Sequence, residues 1–500
     1  MEQKLERLRF LLGQAADLAA SQALLDWDQQ TYMPVGGAED RSDQISTLAR
    51  LLHETVTSPE VGALLEGLKP WAESLHPDSN DARLIRVARR NYDKLTHVPA
   101  RWVAESAQAS SLGHAAWEHA RANNDFKHFE PFLQRIINLR QEYAGFFAPY
   151  EHVYDPLLDD FEPGLKTREV QQIFSTLRSE QVKLIAAIGE KPQVDDSFLS
   201  QEYPDQAQWD FGVQVISQLG LDWQHARQDR SAHPFTTDFG IGDMRITTRI
   251  DAQRFDSAFF SSVHECGHAL YQQGIHSALC RTPLAAGASM AVHESQSRLW
   301  ENLVGRSLDF WTHFYPLLQQ RFPAQLANVN LTAFYKGINR VEPSFIRVES
   351  DEATYNLHIM LRLELEIALM EGSLSVQDLP QAWNARMHEY LGITPPTASL
   401  GVLQDVHWSA SLIGYFPTYA LGNLISVQLW ECAEKDIPDL GDRIRQGDFA
   451  PLREWLRRRI HQHGAKFEPQ ELVEKVTGSR IDPHPYLKYL RNKYGAIYGL

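Results

Sequence analysis

Apolar residues recur at three- and four-residue spacing along most of the chain, which is the pattern of amphipathic helices. Alternation typical of strands is scarce, and its best example is 235–250, where β-forming residues flank the turn-forming run 240–243 and indicate a hairpin. The polar, proline-containing stretch 190–206 predicts a surface loop. The expected fold is mainly α, with helices at 3–21, 44–66, 80–92, 101–121, 128–149, 168–188, 205–218, 308–321, 357–371 and 451–463.

The organisation of the chain favours one folding unit. No internal repeat, low-complexity run or compositional break separates one part of the 500 residues from another. We therefore expect a single helical domain over residues 1–500, either undivided or bilobed. In a bilobed arrangement the site would lie in the cleft between the lobes.

The net charge and the cysteine content indicate which partners the protein can bind and which cellular compartment it occupies. A net charge of −16 argues against nucleic acid, whose phosphates require a basic surface, and against anionic membranes. No stretch approaches 18 uninterrupted apolar residues, and residues 1–22 lack the pattern of a signal peptide. Three cysteines form no disulfide framework. We expect a cytoplasmic protein that is bound neither to a membrane nor to nucleic acid.

The most specific chemical signal is His264-Glu265-Cys266-Gly267-His268, within a segment of helical spacing that Gly274 is expected to end. Two histidines four residues apart lie on one face of a helix and can bind one Zn²⁺. Glu265 is then beside the metal, where its carboxylate can act as general base toward water. Gly267 is unusual inside a helix and predicts close approach of another backbone. Cys266 is expected to be a buried filler.

A catalytic zinc site needs a third protein ligand. His276 lies beyond the expected helix end and is a weak candidate. The next helical segment, 289–305, offers His293, Glu294 and Glu301. Glu294, 26 residues after His268, is favoured, but spacing alone does not exclude Glu301, which could instead hold a ligand histidine through a hydrogen bond.

These parts predict a zinc peptidase in which Glu265 transfers a proton from water to the leaving amine. Donors to the oxyanion would come from later segments, with His407, Tyr415 and Tyr419 as candidates. The motif serves an oligopeptidase that cuts inside short peptides as well as it serves an exopeptidase. An inactive helical scaffold that keeps its metal, and a peptide-binding module, are alternatives from other classes.

Several further motifs make the chain resemble the M32 metallocarboxypeptidases, the family of thermostable Taq carboxypeptidase. The resemblance runs along the whole chain. One position departs from it, since Ser350 stands where the IRxxAD motif has Ala. The matching motifs are 27–41, 154–164, HPF at 233–235, DxRxT at 243–247, HExxH at 264–268, HES at 293–295, IRxxAD at 346–351 and GxxQDxHW at 401–408.

The resemblance implies a helical ellipsoid similar to neurolysin and angiotensin-converting enzyme, with a deep central groove and a small sheet beside the site. It implies a homodimer that releases single C-terminal amino acids from peptides with a free C-terminus, with broad specificity and poor action on proline. Cobalt can replace zinc in such enzymes. The implied residues are His264, His268 and Glu294 for zinc, Glu265 as base, Arg347 for the substrate carboxylate, and His407 with Tyr415 or Tyr419 for the transition state.

Read without the resemblance, the three substrate-binding candidates, Arg347, Asp243 and Arg245, have ordinary explanations. Arg347 could form an ion pair with a nearby acid such as Glu349 or Asp351. Asp243 and Arg245 could serve turn and strand chemistry as well as they could bind substrate. An edge strand beside the metal helix could pair with the backbone of a peptide.

Overall fold

The computed structural model describes all 500 residues, and helices dominate it, as predicted. The first half of the chain contains nine helices that precede the sheet. These are α1 Glu2–Thr31, α2 Ala38–Val56, α3 Pro59–Ser74, α4 Asn80–His97, α5 Ala100–Asn123, α6 Phe126–Phe146, α7 Asp155–Leu158, α8 Thr167–Gly189 and α9 Asp205–Leu219.

Twelve more helices follow the sheet, and one is continued by a π-helical segment at Leu299–Val304. None of the helices in the structure is long and apolar enough to cross a membrane. The twelve are α10 Phe255–Gln273, α11 Met290–Arg298, α12 Leu308–Arg321, α13 Pro323–Leu326, α14 Leu331–Gly337, α15 Glu352–Glu371, α16 Leu379–Leu391, α17 Pro417–Asp436, α18 Leu440–Arg445, α19 Ala450–Arg459, α20 Pro469–Thr477 and α21 Pro483–Tyr498.

Every predicted helical segment falls on helix, but one prediction joined two helices. Helix α2 ends at Val56 and α3 begins at Pro59, so the prediction of a single helix at 44–66 is wrong. Ser58 accepts a hydrogen bond from the backbone N–H of Val61, and Pro59 occupies the first helical position. Both features start a new helix, although the apolar spacing continues across the break.

The predicted hairpin is present, and it belongs to a three-stranded sheet of order β1-β3-β2. Strands β2 (Thr236–Asp238) and β3 (Met244–Thr248) pair antiparallel on either side of the expected turn. The sequence did not indicate β1 (Ala226–Arg230), which pairs parallel with β3. Its sequence, ARQDR, is almost entirely polar, so no apolar alternation marks it. Strand β2 has only one paired edge.

The buried apolar residues form two separate cores. The larger core runs through α5 to α21 and surrounds α10, α11 and α17. A smaller core of 13 buried residues joins α1, α3 and α4 to the segment 275–284. The stretch 190–206 is not wholly a surface loop, because Phe198, Leu199 and Tyr203 are buried in the larger core.

Candidate metal centre and active site

Helix α10 presents His264 and His268 on one face, one turn apart, with their ring centroids separated by 4.9 Å. The helix ends at Gln273 and Gly274 is its C-cap, as the sequence predicted. Cys266, between the two histidines in sequence, is fully buried and serves as an apolar filler. The i, i+4 spacing therefore produces the paired imidazoles that a shared cation needs.

Helix α11 brings a carboxylate to the same point. Oε2 of Glu294 lies 3.5 Å from Nε2 of His264 and 3.5 Å from Nε2 of His268. The three candidate ligand atoms lie within 4.8 Å of one another. His276 takes no part, since its Nδ1 accepts a hydrogen bond from the N–H of Ala278 at the start of a short 3-10 turn.

Glu301 is not a third ligand but the hydrogen-bond partner of a candidate ligand histidine, the alternative role that the sequence left open. Its Oε2 lies 2.9 Å from Nδ1 of His264, the ring nitrogen that does not face Glu294. Glu301 stands in the π-helical segment after α11. The wider turn of a π-helix changes the direction of every later side chain, and such segments are frequent at functional sites. Glu301 therefore orients His264 instead of joining the triad.

A buried arginine links the two carboxylates. Nε of Arg298 donates to Oε1 of Glu294 at 2.6 Å, and its Nη1 donates to Oε2 of Glu301 at 3.1 Å. Burial alone raises the pKa of Glu294, but Arg298 and then His264 outweigh burial and bring this pKa well below its usual range. Burial likewise opposes ionisation of Glu301, yet Arg298 and His264 lower its pKa to about 2. Both groups are carboxylates at neutral pH, as cation binding requires.

Two glycines allow close packing around the candidate metal site, because a side chain at either position would collide with α11. A Cβ added to Gly267 would lie 2.6 Å from Cα of Ser297, so the backbones of α10 and α11 touch there. This close approach is the one that a glycine inside the metal helix predicted. A Cβ added to Gly422 of α17 would lie 2.6 Å from Cγ of Glu294. Gly422 thus leaves space for the carboxylate side chain.

Gly267→Ala is expected to destabilise the protein, although alanine normally favours a helix by about 1 kcal/mol. The new methyl group meets backbone that cannot move aside, and overpacking of this kind costs about 1–3 kcal/mol. Thermal unfolding should show a lower midpoint than in the wild type. Gly145→Ala in α6 is the matched control, since nothing lies within 4 Å of its added Cβ. A midpoint for Gly267→Ala at or above that of the control would contradict the contact.

Glu265 lies beside the triad without joining it, and β2 holds it there. The Thr236 hydroxyl donates to Oε2 of Glu265 at 2.6 Å. Glu265 is 7% exposed. The edge strand predicted beside the metal helix therefore contacts the candidate base directly.

Arg347 is buried, and its partner is not one of the acids that follow it in sequence. Its Nε donates to Oδ1 of Asp405 at 2.9 Å, and its Nη1 donates to the hydroxyl of Tyr355 at 3.0 Å. Arg362 donates from Nε to Oδ2 of the same aspartate at 2.7 Å. Two guanidinium groups share one carboxylate, so this part of the site carries an excess of one positive charge.

The oxyanion candidates surround Arg347. Nε2 of His407 lies 3.0 Å from the hydroxyl of Tyr419, and the Arg347 guanidinium stacks 4.9 Å from the centroid of the Tyr419 ring. Burial, with a further contribution from Arg347, lowers the pKa of His407 to about 3, so its imidazole is neutral. Burial raises the pKa of Tyr415, and the nearby Glu294 carboxylate raises it further. Tyr415 therefore keeps its proton, and its ring centroid lies 5.2 Å from that of Tyr419.

Asp243 and Arg245 lie together on the sheet but away from Glu265. Arg245 donates from Nε to Oδ1 of Asp243 at 2.6 Å, and its guanidinium stacks 4.9 Å from the ring of Trp27 in α1. Residues paired across two strands share a face. Arg245 pairs with Thr237, whereas Thr236 pairs with Ile246, so Arg245 and Thr236 point to opposite faces.

Sequence reasoning missed several residues that the structure brings to the site. Arg298 could have been found, because an arginine four residues after Glu294 on a helix forms an ion pair with it. Thr236 and Gly422 carried no such signal, since their contacts join segments that are distant in sequence. His293 was considered only as a possible third ligand, whereas in the structure its Nδ1 lies 2.6 Å from Nδ1 of His268.

The family model of the carboxypeptidase Taq (M32) metallopeptidases matches residues 8–494 of the chain. Among characterised proteins, thermostable carboxypeptidase 1 of Thermus thermophilus is 44% identical over 496 residues, with 97% of each chain covered. Carboxypeptidase 1 of Bacillus subtilis is 38% identical over 491 residues, with 98% of this chain and 97% of the relative covered.

Solved structures agree along the whole chain. The M32 carboxypeptidase of Deinococcus radiodurans superposes with a TM-score of 0.96 at 40% identity, with both chains fully covered. Metallocarboxypeptidase 1 of Trypanosoma cruzi superposes with a TM-score of 0.94 at 30% identity, covering 99% of this chain and all of that one. The fold and the family resemblance inferred from the motifs are thereby confirmed.

Proposed function

The chain belongs to the carboxypeptidase Taq (M32) family and is a metallocarboxypeptidase, and from that premise we propose that it is a zinc enzyme that releases single C-terminal amino acids from peptides. Its specificity is broad, with poor action on proline. The observation that carries this proposal is the convergence of His264, His268 and Glu294 on one point beside the buried carboxylate of Glu265.

The donor set fits a zinc ion. Two imidazole nitrogens and one carboxylate oxygen are the ligands of known catalytic zinc sites, and each has a hydrogen-bonded partner behind it. His264, His268 and Glu294 would hold the ion, and cobalt would be accepted in its place. A zinc ion held there supplies Lewis-acid chemistry, which polarises a carbonyl group and lowers the pKa of water.

The residues of the chain divide the remaining chemistry between them. Glu265 accepts a proton from the attacking water and passes it to the leaving amine. The Thr236 hydroxyl orients its carboxylate for both transfers. Tyr415, whose ring packs against those of His407 and Tyr419, donates a hydrogen bond to the oxyanion. His407 and Tyr419, bonded to each other, support the same charge from the side of Arg347.

The positive charge around Arg347 recognises the carboxylate at the end of the substrate. Asp405 neutralises only one of the two guanidinium groups beside it, so a buried substrate carboxylate would complete the charge balance. Asp243 and Arg245 contribute to substrate binding through the sheet. Arg245 also stacks on Trp27 of α1, which fixes β3, the strand with which β2 and Thr236 pair.

Three further features belong to this proposal. All three cysteines are free thiols, which supports a reducing, cytoplasmic location. The enzyme acts as a homodimer on peptides with a free C-terminus, without nucleic acid or membrane partners. Residues 1–500 form one metallocarboxypeptidase domain with two apolar cores, and the expected groove would lie between the parts of the chain that surround them.

The proposal is tested by metal analysis of the purified protein together with a time course of amino acids released from a defined peptide. We expect one zinc per chain and release of residues one at a time from the C-terminus. An otherwise identical peptide with an amidated C-terminus should be cleaved at a rate lower by a factor of at least about 30, because it lacks the charge that Arg347 binds. Comparable turnover of the two peptides would favour the oligopeptidase instead.

A further inference from the structure

The two candidate ligand imidazoles have different partners on the ring nitrogen that points away from Glu294. Nδ1 of His264 is 2.9 Å from a carboxylate oxygen of Glu301. Nδ1 of His268 is 2.6 Å from Nδ1 of His293. One imidazole is thus backed by an anion and the other by a second imidazole.

The hydrogen bond between the two histidines fixes where their protons lie. A bond between two ring nitrogens has one N–H donor and one lone-pair acceptor. Nε2 of His268 faces Glu294, and to bind a cation it must offer a lone pair. The proton of His268 is then on Nδ1 and is donated to Nδ1 of His293. His293 is therefore neutral and carries its own proton on Nε2.

The ring of His293 has little freedom to turn. Tyr271 packs against it with the ring centroids 5.1 Å apart. A Cβ added to Gly287 would lie 2.8 Å from Cδ2 of the imidazole, so the chain passes close by on that side. His293 also lines a cavity of about 530 Å³. A smaller side chain at this position would enlarge that cavity.

We propose that His293 is the positioning residue of His268, a neutral acceptor that sets the tautomer and the direction of this ligand for the metal ion. This inference rests on the proposed function and adds a residue to the same site. A neutral partner has a physical reason here. Glu294 and Glu301 already bring two negative charges, of which Arg298 balances one, and a third carboxylate would offset more of the charge of the cation and weaken it as a Lewis acid.

The test is metal binding by the full chain, measured for zinc by competition with a chelator and for cobalt by its visible absorption spectrum. His293→Leu is expected to raise the Kd for zinc by about 10–100-fold, the usual effect of losing such a partner. The cobalt spectrum should shift, since it reports ligand geometry. His293→Gln, whose amide oxygen can still accept, should lose less. His276→Leu is the matched control and should bind like the wild type, because His276 lies outside the triad.

A wild-type Kd and an unchanged cobalt spectrum in His293→Leu would overturn the inference. If that variant does not fold, Gly287→Ala provides a second approach, since its methyl group displaces the ring without removing it. Gly287→Ala should also weaken zinc binding, and unaltered affinity would count against the inference. A wild-type protein that binds neither metal would instead contradict the proposed function itself.

Discussion

Glu265→Gln is expected to lower kcat by about 10²–10⁴-fold, the range attributed to a general acid–base group, while zinc remains bound. Glutamine is nearly the same size and can keep a hydrogen bond to Thr236, so the helix and the edge strand should stay in place. Its amide accepts no proton from water. The carboxylate of Glu265 is not one of the three clustered ligand atoms, so the metal should be retained. Steady-state kinetics give kcat, and metal analysis of the same preparation gives the zinc content per chain.

The control for this prediction separates proton transfer from ligand loss. Glu294→Gln should lower zinc content as well as turnover, because it removes a charged ligand atom from the triad. Equal activity in Glu265→Gln and the wild type would refute the proposed mechanism. Loss of zinc from Glu265→Gln would show that Glu265 helps to bind the metal and would contradict its assignment as a base.

Arg347→Met is expected to reduce kcat/KM for peptides with a free C-terminus by at least about 30-fold. Removing one partner of a buried charge pair costs about 2–5 kcal/mol, and each 1.4 kcal/mol is a factor of about ten. Asp405 keeps Arg362 as a partner, so the aspartate is not left unpaired and the protein should fold. Thermal unfolding of the variant checks that assumption.

The informative quantity is the ratio of rates for the free and the amidated peptide. This ratio should be large in the wild type and fall toward one in Arg347→Met. Arg347→Lys should be intermediate, because lysine keeps the charge but lacks the planar fork that binds a carboxylate through two hydrogen bonds. A ratio that stays unchanged in Arg347→Met would assign the recognition of the C-terminus to another group.

Local pattern was sufficient where one helix or one turn defines the feature. The three- and four-residue periodicity located the helices, and the run 240–243 located the hairpin between β2 and β3. It failed between α2 and α3, where Ser58 and Pro59 interrupt a continuous apolar pattern. It also failed for β1, because the polar sequence of this strand does not indicate that it pairs with β3.

For the candidate site, the sequence by itself determined what one helix can hold: two imidazoles one turn apart, a carboxylate next to them and a glycine where another backbone passes. The choice between Glu294 and Glu301 needed the tertiary structure, because Glu301 lies in a π-helical segment whose wider turn changes the direction of its side chain. The partners of Arg347 and His268 also come from other segments, Asp405 from a loop and His293 from α11. Periodicity records the face that a residue occupies on its own helix, whereas the packing of separate helices decides which faces meet.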